Sequence, residues 1–154
     1  MSLPKYDKVL LTGSDAELNE YIDKSGQCLV VDWRSEEGDL INALAKLIPE
    51  ARLTYGWGKG RCGEDDIFVS FRGRRYKLGL TMSGRDRYIT LRRLNEILAG
   101  EYELREFRHT LGDDTHSFYP KPCSWWAAME RAFPAAIERV FSRITADMDF
   151  PDYK

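Results

Sequence analysis

The sequence predicts a single α+β domain: a largely antiparallel sheet of two hairpins, with helices packed mainly on one face. Three observations predict it. Two segments, 67–81 and 102–119, each read as a strand, a turn and a returning strand. The segments around and between them carry apolar residues at helical spacing. The chain of 154 residues is 43% hydrophobic and 31% charged, a composition suited to one globular core over residues 1–154.

Ser14 and Glu17 form a capping box ahead of a helix that runs to about Lys24 and stops at Gly26. Gln27 to Trp33 is predicted as a strand; its successive Leu29, Val30 and Val31 imply burial on both faces. Ser35 is placed to cap the next helix. There Leu40, Ile41, Leu44, Leu47 and Ile48 form one stripe, and Pro49 ends it. Arg52 to Trp57 alternates as a second strand, so 27–57 would supply a parallel βαβ pair. After a glycine-rich loop, Ile67 to Phe71 is a strand, Gly73-Arg74 its turn and Arg75 to Thr81 its return.

A helix over 84–99 follows, capped by Ser83 and ended at Gly100. Tyr102 to Arg108 mixes apolar and charged residues as a half-exposed strand. Gly112-Asp113-Asp114 turns it, and Thr115 to Tyr119 pairs back. Two helices close the fold. One carries Trp125, Trp126, Met129 and Phe133; the other follows Pro134 and carries Ile137, Val140, Phe141 and Ile144. A loose acidic tail is expected from about residue 146.

No apolar run approaches the roughly 20 residues of a membrane span. The first residues lack the apolar core of a secretion signal, so a cytoplasmic protein without a membrane partner is expected. Cys28, Cys62 and Cys123 are widely spaced and form no C-x-x-C, so neither a disulfide framework nor a metal site is expected. No cofactor motif is present. The glycine-rich loop Gly56–Gly63 lacks the Lys-Ser/Thr pair and the following helix of a phosphate-binding loop, and reads most simply as a mobile hairpin loop.

Charge is the strongest feature. The net charge is −2, yet residues 71–93 hold 8 Lys and Arg against 1 acidic residue, between acidic flanks. A solvated face, or pairing with those flanks, is the plainest explanation. A pI near 5.8 argues against a nucleic-acid partner, although Tyr76 and Tyr88 interleave the basic run. A protein partner with an acidic surface fits better. The candidate contact residues are then Arg72, Arg74, Arg75 and Arg87, with Lys59 and Arg61 in the glycine-rich loop and Trp126 as an aromatic anchor.

A catalytic alternative rests on one turn. His109 and His116 would face each other across it, with Asp113 and Asp114 beside them, as a small hydrolase would need. Ordinary turn chemistry explains the same residues. Cys123 at a helix start and Asp32 at a strand end are further candidates. An inert thiol, and a capping or Arg34-paired carboxylate, are their plainer explanations.

Several short stretches recur together: Phe68-Val69-Ser70-Phe71-Arg72-Gly73, Asp86-Arg87-Tyr88, Leu94-Asn95-Glu96-Ile97-Leu98 and Tyr102-Glu103-Leu104-Arg105. Asp114-Thr115 then leads to Phe118-Tyr119-Pro120, with Trp125 or Trp126 on the next helix. Over 66–119 this resembles a family of small uncharacterised bacterial α+β proteins. The resemblance implies no catalytic residues. Immunity proteins, which block a toxin by binding it, share this build, and an immunity-like role is the corresponding expectation. The order of expectation is therefore a protein-binding module, then a small hydrolase, then a nucleic-acid binder through 72–93. Oligomeric state is open, a dimer included.

Overall fold

In the computed structural model, which describes residues 3–32 and 34–145, the predicted capping box forms. The Ser14 hydroxyl accepts the Glu17 amide at 3.3 Å, and the Glu17 carboxylate accepts the Ser14 amide at 3.2 Å. A short helix α1 (Val9–Thr12) precedes this cap, and α2 (Asp15–Ser25) follows it. Gly26, at φ 68°, ends α2 in a conformation that costs glycine nothing. Then come β1 (Leu29–Val31), α3 (Glu37–Leu47), β2 (Thr54–Lys59), β3 (Asp65–Phe71), β4 (Arg74–Lys77) and α4 (Asp86–Leu98). The chain closes with β5 (Tyr102–Phe107), β6 (His116–Pro122), α5 (Cys123–Ala132), α6 (Pro134–Val140) and β7 (Phe141–Arg143).

The fold is α+β, with two antiparallel sheets. Both predicted hairpins are present, but each belongs to its own sheet. The β3–β4 hairpin takes β2 on its other edge, and β5–β6 sits inside a four-stranded sheet of order β1-β6-β5-β7. The expected βαβ pair does not form: β1 pairs antiparallel with β6, and β2 antiparallel with β3. The short 60–64 connection closes the β2–β3 hairpin at low entropic cost, which a crossover to β1 could not match.

The helices also depart from expectation, since they cover both faces of the four-stranded sheet. Leu29, Val31, Leu104 and Phe118 pack against Leu40, Ile41 and Leu44 of α3, Leu91 and Leu94 of α4, and the inner face of the three-stranded sheet. On the other side Phe107, Tyr119 and Phe141 pack with α1, α2, α5 and α6. This second core is aromatic: the Tyr119 ring lies 5.7 Å from Trp125, 6.2 Å from Trp126 and 5.8 Å from Phe107.

Local departures have local causes. β1 is an edge strand, so Val30 is 47% exposed rather than buried. β5 is central, so its Arg105 and Glu106 are buried instead of solvated. Phe141 leaves the last helix and pairs with Phe107 as β7. The Ser35 hydroxyl accepts the Asp32 amide at 3.0 Å and caps no helix. Ser83 likewise leaves α4 uncapped, and its amide donates to Asp86 at 3.3 Å. Trp33 and the expected acidic tail lie outside the described residues. Among those described, no helix is long and apolar enough to cross a membrane.

Candidate protein-binding surface

The three-stranded sheet turns one face inward. Ile67, Val69 and Phe71 of β3 are buried in the first core, so the intervening Phe68 and Ser70 point outward. Gly56 lies opposite Phe68 in register, and Gly58 opposite Asp66. Gly58 has a specific reason to be glycine. A Cβ there would stand 2.9 Å from the Phe68 ring and 3.2 Å from an Arg75 guanidinium nitrogen. Phe68 therefore leans over β2, and the Arg75 guanidinium stacks on it, 3.9 Å from the ring centre. On the edge strand Trp57 is 56% exposed.

Asp66 shares the outward parity but is buried, because residues 78–80 fold over it. Its carboxylate accepts the amides of Ile67 (2.8 Å), Gly79 (3.1 Å) and Leu80 (3.3 Å). One member of the acidic run 64–66 is thus a fold anchor. Glu64 pairs with Lys77 and Asp65 with Lys59, so two cations of this sheet are neutralised locally. The Lys77 ammonium holds the Glu64 carboxyl below its usual range.

The predicted contact residues divide into two groups. Arg72 is engaged: its Nε and Nη2 donate to Glu101 at 3.1 and 2.9 Å, and its Nη1 donates to the Glu50 carbonyl. This fork keeps the Glu101 carboxyl low and the Arg72 guanidinium high in pKa. Lys59 is the partner of Asp65. Arg87 donates to the Asp32 carbonyl at 3.2 Å and ties α4 to the end of β1. Trp126 is 1% exposed, with its indole N–H on the Glu103 carbonyl at 2.9 Å, so it is core and no anchor. Among the described residues Arg61, Arg74 and Arg75 are exposed and hold no acidic partner.

The histidine turn separates in space. His109 sits in a 3₁₀ turn, 2.7 Å from Asn19 Oδ1 of α2 and edge-on to Phe107. His116 is buried on the opposite face of the sheet, with Nδ1 2.7 Å from Glu106 Oε2; Thr110 Oγ1 donates to the same oxygen at 2.9 Å. Asp113 and Asp114 stay exposed in the turn. Asp32 accepts the Arg34 amide at 2.7 Å, a turn-closing bond. Cys123 is the first residue of α5, its amide bonded to the Glu101 carbonyl. Among the described residues no cluster of three His, Cys, Asp or Glu side chains could hold a metal.

A cavity of about 600 Å³ opens beside Arg105, Glu130, Phe141 and Arg143. Arg105 lies 4.3 Å from the centre of the Trp126 ring and bonds Glu103 and Glu130 at 2.9 and 2.6 Å. Burial alone would raise the Glu130 carboxyl, but Arg105 and Arg143 hold it down. Arg105, Arg143, Glu103 and Glu130 thus neutralise one another, which fits a structural cluster.

Gly56 and Gly58, expected in a mobile loop over Gly56–Gly63, instead lie in β2 and pair with β3, so the loop is confined to 60–64; the outward role of Phe68 is not legible in the sequence. The available signal was two glycines at spacing two inside a strand pattern, which marks close approach by a neighbouring side chain. Comparison with protein-family models, curated proteins and solved structures finds no match to this chain.

Proposed function

We propose that this chain is a protein-binding module that docks the basic outer side of its three-stranded sheet onto an acidic surface of a partner protein. Its mode of action is occupation of that surface, as in immunity proteins. The observation that carries the reading is the pre-set Arg75–Phe68 stack on the outward face, with Arg61 exposed in the 60–64 loop and Arg74 exposed at the hairpin tip on the parity of Phe71. Three exposed cations with no internal acid supply charge for steering. The stacked guanidinium keeps its N–H edge available for a carboxylate. Exposed Trp57 pairs with inward-facing Ile67 and so lies outside this face.

The hydrolase reading loses its support, because His109 and His116 engage opposite faces of the sheet. The test is site-specific photo-crosslinking in the native cell. A crosslinking residue at position 74 should trap one partner, while the same residue at exposed position 127 on α5 should not. Equal yields at the two positions would overturn the proposal.

A further inference from the structure

A second cavity, of about 620 Å³, lies across the four-stranded sheet from the proposed docking face. It is bounded by Lys5, Tyr6, Asp7 and Lys8 of the N-terminal segment, by Tyr21 and Ser25 of α2, by Gln27, and by Tyr119 and Lys121 of β6. The Tyr119 and Tyr21 hydroxyls are 3.0 Å apart, and Tyr119 also donates to Gln27 Oε1 at 3.4 Å. The Lys121 ammonium lies 5.0 Å from the Tyr119 ring centre and 5.4 Å from that of Trp125.

No ion pair among the described residues engages Lys121. Its cross-strand neighbour Glu103 is turned to Arg105. Nearby Cys28 supplies no counter-charge, because burial pushes its thiol up to about 11. Burial likewise lowers the Lys121 ammonium, whose charge rests on two ring faces. A cation half out of water, beside phenol and carboxamide groups and at a cavity wall, lacks one negative charge.

We propose that this cavity binds a small monocarboxylate, its carboxylate on Lys121 and its apolar body against the half-buried Tyr6 and Tyr21 rings. The tyrosine rings on the wall favour an anion with an apolar body over inorganic phosphate, which has none. Exposed Lys5 and Lys8 draw anions to the mouth.

The test is an NMR titration of the full chain with sodium benzoate, with benzyl alcohol and inorganic phosphate as separate arms. Benzoate should shift the Tyr21, Gln27, Tyr119 and Lys121 amides saturably. The alcohol and phosphate should bind at least about tenfold more weakly, as should benzoate to Lys121→Met. In the wild-type chain the Lys121 amine should titrate at higher pH with benzoate present. An unchanged Lys121 titration, phosphate binding as tight as benzoate, or equal benzoate affinity in folded Lys121→Met would overturn the proposal.

Discussion

The Arg75 guanidinium lies 3.9 Å from the centre of the Phe68 ring, on the outward face of the three-stranded sheet. Gly58 makes the room for it, since any Cβ there meets both groups. The stack restrains a side chain that would otherwise lose rotamer entropy on binding. In Gly58→Val the ring must move and the stack open. The Arg75 side-chain protons, shifted upfield by the Phe68 ring in the wild type, should return to ordinary positions. Unshifted wild-type protons would contradict the stacked geometry.

Removing Glu106 tests the buried polar network. Its Oε2 meets both His116 Nδ1 and Thr110 Oγ1 in the interior. Glu106→Ala leaves two buried polar groups without that acceptor and should cost about 3 kcal/mol in urea unfolding. A loss below about 1 kcal/mol would mean that water reaches the network.

Asp66 and Glu64 make a contrasting pair two residues apart. Asp66→Ala removes the acceptor of three backbone amides and should cost at least about 2 kcal/mol in the same measurement. Glu64→Ala removes an exposed pairing with Lys77 and should leave stability nearly unchanged. Equal losses would contradict the anchoring role of Asp66.

That pair also shows how far the sequence was legible. Local signals held: the Ser14–Glu17 box, the Gly26 stop and both hairpins depend on neighbours a few residues apart. What depended on distant packing did not. Glu106 and Arg105 read as solvated strand charges, and only the pairing of β5 between β6 and β7 buries them. The division of strands between two sheets is likewise a long-range choice. The basic run was legible as charge, but its sorting was not. Arg72 finds Glu101, 29 residues away, whereas Arg74 and Arg75 on the same hairpin find no acid among the described residues. The expected histidine site failed for the same reason, because strand alternation sends the Phe107 and Glu106 neighbourhoods to opposite faces.

The cysteines give a pH-resolved check. Cys62 is exposed and should react first with a thiol reagent at pH 8. Cys28 should react slowly, its rate rising towards about pH 11. Burial raises the folded thiol above the roughly 8.5 of an unfolded one. The protonated form thus contributes stability that is present below that value and lost as pH rises towards about 11. Tyr119 and Tyr21, also raised by burial, act with the same sign at higher pH. Lys121 acts oppositely: its lowered folded value penalises the fold at low pH and relaxes as pH rises. Cys28→Ala should flatten part of the alkaline decline. An identical decline would place the loss elsewhere.

Charge reversal at Arg61, Arg74 and Arg75 tests the docking account most directly. The wild-type chain and the triple glutamate variant are immobilised and exposed to native-cell extract over a series of salt concentrations. The account predicts one acidic protein that the wild type retains, with retention falling as salt rises, and that the variant loses. Retention of the same protein by the variant, or its indifference to salt, would contradict it.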